Sequence, residues 1–320
     1  MRFHPLKFGW LAVPPQPKAV VVFIGGAFFG TFPTVFYRGF LNVLHGLGYA
    51  VVALPFRFTF NHWDIALSLS IALPEIQKEV EASMARLEEQ GGNNAGVARS
   101  ELPYLWVAHS LGCKYVALLE LLSETEDFSK LKDFSAALQE VEPSQAQDLL
   151  AKLSLIEAQQ LSLRNQPQLL VDPVIANLDA AIPWKPLEGL LANLLRVIPS
   201  REVTYSLIEK SKLFSFTRLF SLASKTACDT INRLTHLQRI PPLQPLSAMD
   251  VELSDPKPLL GRHLAILGLK TTDAGLARAI SKDIAAAYAV AVHYQIEGGH
   301  GSALSQLSVS SQSALSQSEI

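Results

Sequence analysis

Leu105-Trp106-Val107-Ala108-His109-Ser110-Leu111-Gly112 is the stretch on which the reading of this chain turns. Residues 105–109 form a short apolar run that reads as a buried strand, and residues 111–122 read as an apolar helix. Between them stands a serine flanked, two residues to either side, by the small residues Ala108 and Gly112. A serine on so sharp a strand-to-helix turn takes a strained backbone and holds its Oγ out. Its flanks must be small because neighbouring backbone passes close by. The same turn puts Ser110 at a helix N-terminus, where unpaired N–H groups and the helix dipole favour an oxyanion. A serine there can also be a plain helix cap; its setting between a buried strand and an apolar helix favours the nucleophile.

Outward from that turn, strands alternate with helical patterns. Residues 8–13 predict a first strand, closed by Pro14-Pro15-Gln16-Pro17. Residues 20–24 form a continuous β-branched and aromatic run suited to the middle of a parallel sheet. A helix is expected over about 33–45, a third strand over 50–54, and a mostly helical stretch over 64–90, interrupted near Pro74. Further strands are expected at 168–171, 264–267 and 289–296, with a helix over about 274–287. The pattern predicts an α/β protein of the α/β-hydrolase fold, a mostly parallel sheet flanked by helices. The core is expected to comprise residues 1–182 and 254–301, with an acidic helical insertion at about 123–165 and a helical cap or lid at 183–253. The serine-rich tail at 302–320 is expected to be disordered.

A nucleophilic serine needs a base, and the base needs an orienting acid. In hydrolase order these follow as acid and then histidine. Asp273 follows the expected strand 264–267, and His300 follows the expected strand 289–296 in the loop Glu297-Gly298-Gly299-His300-Gly301. Both would stand at strand C-termini, where open α/β sheets gather their sites. Asp172, at the end of strand 168–171 and followed by Pro173, is the alternative acid. The loop Gly25-Gly26-Ala27-Phe28 lets backbone approach a substrate, so the oxyanion donors are expected to be the amides of Ala27 and Leu111. Phe28, His62 and His109 are candidate substrate contacts.

The 320 residues carry 27 bases against 29 acids, so no global basic charge advertises a nucleic-acid partner. Two cysteines, Cys113 and Cys228, make no disulfide framework, which favours a reducing, cytoplasmic setting. A mean hydropathy of +0.22 is high, yet no apolar run reaches the roughly 18–20 residues a spanning helix needs. Neither a metal-ligand spacing nor a phosphate or dinucleotide loop occurs, so no cofactor and no metal are expected. Within the expected lid, Leu213, Phe216, Leu219 and Phe220 fall at helical spacing. Such an apolar face suits a long acyl or prenyl chain or peripheral contact with a membrane surface; equally, it can pack on the core.

Several pieces resemble a domain-of-unknown-function family of α/β-hydrolase type found mainly in photosynthetic bacteria and plastids. They are Gly25-Gly26-Ala27-Phe28, Tyr37-Arg38, Gly48-Tyr49-Ala50-Val51-Val52-Ala53-Leu54-Pro55-Phe56, Asn61-His62 and Ala108-His109-Ser110-Leu111-Gly112, with a looser match over 164–183. The resemblance implies the fold and a functional serine at position 110, and supplies no substrate. The resulting expectation is a serine hydrolase acting on an ester or thioester through an acyl-enzyme. The rival expectation is a non-catalytic protein of the same fold that binds a lipid or a protein partner.

Overall fold

The computed structural model describes residues 1–89, 102–123, 163, 166–175, 197–211, 214, 217–222, 224–237 and 262–267, with 147, 151, 279, 282–286 and 289. Among them lie seven strands: β1 (His4–Leu6), β2 (Gly9–Ala12), β3 (Ala19–Ile24), β4 (Tyr49–Leu54), β5 (Tyr104–His109), β6 (Gln168–Val171) and β7 (Thr217–Phe220). They form one sheet in the order β1-β2-β4-β3-β5-β6-β7. β1 and β2 run antiparallel at one edge, and every pairing from β4 through β7 is parallel.

Parallel strands require crossovers, and the described helices supply them. These are α1 (Pro33–Phe36), α2 (Arg38–Gly46), α3 (His62–Glu89), α4 (Leu111–Ser123), α5 (Arg201–Lys210) and α6 (Lys225–Thr235). β3 and β4 are buried along their whole length. Their side chains alternate between two cores, as the strand period of two demands. Val20, Val22 and Ile24 meet α3 and α4 through Leu73, Ile76, Val80 and Val116. Val21 and Phe23 meet α2 through Phe40, Leu41 and Leu44 on the other face. None of the described helices is long and apolar enough to cross a membrane.

The structure departs from the sequence expectation in several places. Thr217–Phe220, assigned to a helical lid, is the strand at the far edge of the sheet. Leu219 joins one core and Phe220 the other, the opposite-facing placement of a strand. Over four residues the two periods cannot be told apart from sequence. The expected strand at 264–267 is instead a 3-10 turn, Arg262–Leu264, followed by a second turn closed from Leu267 N–H to the Leu264 carbonyl. Finally, α3 runs unbroken through Pro74. The proline removes one helical hydrogen bond, but Leu69, Leu73, Ile76, Val80 and Met84 from both sides of it bury in the same core. Of the expected helix over 274–287, residues 279 and 282–286 are described and helical; of the expected strand 289–296 only Ala289 is, and it too is helical. Nearly all of the acidic insertion, about half of the expected lid and the whole serine-rich tail lie outside the described residues.

Candidate active site

Ser110 sits between the end of β5 and the first turn of α4 with φ of 55°, a left-handed conformation that a residue with a β-carbon adopts at a cost of roughly 1–3 kcal/mol. Three hydrogen bonds hold it there. Its amide donates to the Val171 carbonyl at 3.1 Å, and its own carbonyl accepts from the amides of Cys113 and Val174, each at 3.1 Å. The small flanking residue is needed where the sequence predicts it. A β-carbon on Gly112 would stand 2.4 Å from the Gly25 carbonyl oxygen and 2.5 Å from that of Ile24.

The imidazole that meets the serine belongs to His263, whose Nε2 lies 2.8 Å from Ser110 Oγ. On the other side of the ring, Nδ1 is 2.6 Å from Asp172 Oδ2. Asp172 is wholly buried at the C-terminus of β6, and with φ of 47° it is a second strained, left-handed residue. Its carboxylate accepts from the Leu222 amide at 2.9 Å and from the Ser224 hydroxyl. Burial alone would raise the Asp172 pKa, but the hydrogen bonds from His263 and Ser224 outweigh it and hold the carboxyl below its ordinary value. An ionised carboxylate only accepts, so His263 carries its proton on Nδ1 and turns the Nε2 lone pair toward the serine hydroxyl.

Each partner is delivered by a separate element. β5 brings the serine and β6, its parallel neighbour, brings the acid to the same sheet edge. The 3-10 turn Arg262–Leu264 brings the histidine. Ser224 has two tasks: its hydroxyl caps α6 by accepting from the Ala227 amide, and it bonds Asp172.

Ser110 therefore occupies the predicted turn, and Asp172, the alternative acid from sequence, lies in line with it. Asp273 and His300, first assigned as acid and base, lie outside the described residues. His263 was missed. With 264–267 read as a strand, position 263 falls at a strand's N-terminal end, the wrong edge of a parallel sheet. A signal existed nonetheless: Ser110, Asp172 and His263 follow the order serine, acid, histidine.

The expected oxyanion donors flank the serine. Leu111 opens α4, so its amide has no helical carbonyl to reach. Ala27 follows Gly26, where a β-carbon would stand 2.7 Å from Ser110 Cβ and 3.1 Å from its Oγ. Phe28 is 55% exposed and lies against Phe58, with ring centroids 4.3 Å apart. Two other expected contacts are placed elsewhere. His62 is buried with its ring perpendicular to that of Tyr115, and burial together with the charge of Lys114 keeps it neutral well below the ordinary imidazole pKa. His109 is wholly buried and both its ring nitrogens are taken by protein atoms, which leaves no ring atom for a substrate. Among the described residues no cluster of three or more His, Cys, Asp or Glu side chains could hold a metal ion.

A seven-stranded sheet with an antiparallel start, parallel crossovers and a strained serine between strand and helix defines an α/β-hydrolase fold. The chain belongs to a family described as "Protein of unknown function (DUF1350)", whose sequence model matches residues 3–268. That span contains Ser110, Asp172 and His263 and ends before Asp273 and His300. No curated protein matches the sequence. Among solved structures, the chain is similar to an inhibited esterase B from Lactobacillus rhamnosis at 13% identity, covering 91% of this chain and 85% of that one, with a TM-score of 0.46. It is similar to fungal esterases from Rhizomucor miehei at 11% identity, covering 90% and 83%, with a TM-score of 0.45. The esterase domain of a Rhodothermus marinus protein matches at 16% identity over 84% and 92%, with a TM-score of 0.36.

Proposed function

We propose that the protein is a serine hydrolase that cleaves an ester or thioester, with Ser110 as nucleophile, His263 as base and then acid, and Asp172 orienting the imidazole. One observation carries the reading: the unbroken line Ser110 Oγ, His263 Nε2 at 2.8 Å, His263 Nδ1, Asp172 Oδ2 at 2.6 Å. His263 Nε2 takes the hydroxyl proton as Oγ bonds the substrate carbonyl carbon, and the carbonyl oxygen becomes an oxyanion facing the amides of Ala27 and Leu111. Collapse breaks the bond to the leaving alcohol or thiol, which receives the proton from His263 and leaves an acyl-Ser110. Water repeats the attack with His263 again as base, releasing the acid and restoring the serine.

A substrate with a lipid-like acyl or prenyl chain fits the surface beside the oxyanion loop. Phe28, Phe32, Val35 and Phe36 are all exposed there, up to 66% for Val35. Leu219 and Phe220 are buried in β7 and form no part of that surface. Two unpaired cysteines, Cys113 buried and Cys228 exposed, favour a cytoplasmic setting.

The test is labelling with a fluorophosphonate probe. The native protein is expected to form one adduct, mapped by mass spectrometry to Ser110, and Ser110→Ala to form none. A folded native protein that never labels would sink the proposal and favour a binding role.

A further inference from the structure

Two buried polar side chains beside the site take no part in the chemistry above. Tyr37, between α1 and α2, accepts a hydrogen bond at its hydroxyl oxygen from the Gly26 amide at 2.6 Å. The same hydroxyl lies 2.9 Å from His109 Nδ1. The far nitrogen of that ring, Nε2, is 2.9 Å from the backbone carbonyl oxygen of His263. A carbonyl only accepts, so Nε2 carries the proton, Nδ1 is the acceptor, and the Tyr37 hydroxyl donates to it. Every proton in the chain is thereby assigned: Gly26 N–H to Tyr37, Tyr37 O–H to His109, His109 Nε2–H to His263.

The two ends of this chain matter. At one end is Gly26, whose backbone lies directly on the Ser110 side chain and precedes the expected oxyanion donor Ala27. At the other is the backbone of the residue whose ring meets Ser110 Oγ. In the middle is the residue next to the serine in sequence. The rings pack as well as bond: Tyr37 meets His109 edge-on at 5.7 Å, and His109 lies 4.9 Å from His263 at a tilt of 34°. The Gly-Gly pair follows from the same packing, since a β-carbon on Gly25 would stand 2.5 Å from Tyr37 Cε2.

We infer that Tyr37 and His109 are positioning residues, a single hydrogen-bonded strut that sets the oxyanion loop and the His263 turn at fixed distances from Ser110. The inference rests on the serine-hydrolase reading. The strut ties the backbone of the His263 turn to the residue before the serine, beside the bond its ring makes to Ser110 Oγ, and a displacement of about 1 Å at a reacting group can cost about 100-fold in rate. The strut also holds its charge state. Burial first, and then the repulsion that protonated rings at His109 and His263 would exert on each other, push the His109 pKa down to about 3, against the bond to the His263 carbonyl and the charge of Asp172. Tyr37 is raised by burial above the ordinary tyrosine value and stays protonated. Among the described residues, His263 and Asp172 act on the charge of His109, and Cys113, its thiol also raised by burial, acts on Tyr37. The chain therefore persists through the pH range over which an ordinary imidazole titrates.

The experiment measures fluorophosphonate inactivation of the native protein, Tyr37→Phe, His109→Gln and the double variant, each corrected for the folded fraction. Each single variant is expected to lose roughly 10-fold or more in the limiting inactivation rate with little change in the probe's half-saturating concentration. The double variant should be no slower than the slower single, because either change breaks the same chain. A purely structural role would lower the folded fraction and leave the rate per folded molecule at the native value; that result overturns the inference, as do losses that multiply. Ring-nitrogen NMR of the native protein gives a second arm that needs no variant. His109 is expected as the neutral Nε2–H tautomer at pH 5, and a charged ring or an Nδ1–H tautomer overturns the strut. A native protein that does not label while its NMR shows the expected tautomer overturns the hydrolase reading and the positioning role together, and the tautomer alone distinguishes that case from a broken strut.

Discussion

Asp172 and His263, 91 residues apart in the chain, meet at 2.6 Å between Oδ2 and Nδ1. The contact depends on a left-handed backbone at Asp172, which turns its side chain out of the line of β6. It is supported by two residues just past β7: the Leu222 amide donates to the other oxygen, Oδ1, and the Ser224 hydroxyl to Oδ2. The acid is thus clamped by the residues that follow the sheet's edge strand, with its Oδ2 shared between Ser224 and His263.

Asp172→Asn is expected to leave the protein folded and to lower hydrolysis by about 10³–10⁴. An amide nitrogen facing His263 Nδ1 would favour the other tautomer and take the lone pair away from Ser110. Turnover of p-nitrophenyl acetate checks this, and a loss of under 10-fold counts against Asp172 as the orienting acid.

Gly112→Ala and Gly46→Ala should behave oppositely. At Gly112 the new methyl would meet two backbone carbonyl oxygens under the nucleophile turn, so a loss of about 3 kcal/mol or more, or insoluble protein, is expected. At Gly46, the last residue of α2, nothing lies within 4 Å of the added carbon. There alanine should stabilise by about 0.5–1 kcal/mol through helix propensity. Urea melts compare the two directly.

Acidification should destabilise the fold well before ordinary carboxylates titrate. His62 and His109 are held neutral below the ordinary imidazole value of 6.5, His109 down to about 3. Below pH 6.5 the unfolded chain binds protons at these two positions that the folded chain does not, so stability falls as pH drops. The lowered Asp172 carboxyl acts in the same direction at lower pH: its stabilisation is full above the ordinary 3.8 and is lost as pH falls through its depressed folded value. The urea midpoint is expected to fall between pH 7.5 and pH 5, and to fall less in a folded His62→Gln variant. A flat midpoint would contradict the burial of these rings as neutral species.

Phe28→Ala probes the chain-binding surface. Removing an exposed ring that lies on Phe58 should cost on the order of 1–2 kcal/mol toward a long acyl chain, about a 10-fold loss on p-nitrophenyl octanoate. Cleavage of the acetate should hold. Equal losses on both esters would argue against a lipid-like substrate.

The central strands and the nucleophile turn were legible in the sequence because each is decided by neighbours in the chain. Residues 20–24 and 50–54 are short, continuously apolar runs with β-branched residues, bounded by Gly25 and Pro55, and they lie inside β3 and β4. Ala108 and Gly112 announce close backbone approach, and they surround a serine with φ of 55°. Short elements carried no such signature. Thr217–Phe220 offers four residues, too few to separate a strand's alternation from a helix's, and the turn at 262–267 has the composition of a strand.

The amino-acid sequence by itself determined that a strand would end in a strained serine at a helix N-terminus, since sterics within a few residues decide that. Only the tertiary structure decided which acid and which imidazole would face it. Strand order places the ends of β5, β6 and β7 side by side, and this order is settled by packing across the whole sheet. A histidine in the middle of a short turn then reaches Ser110 across a separation of 153 residues, a distance over which no local pattern carries information.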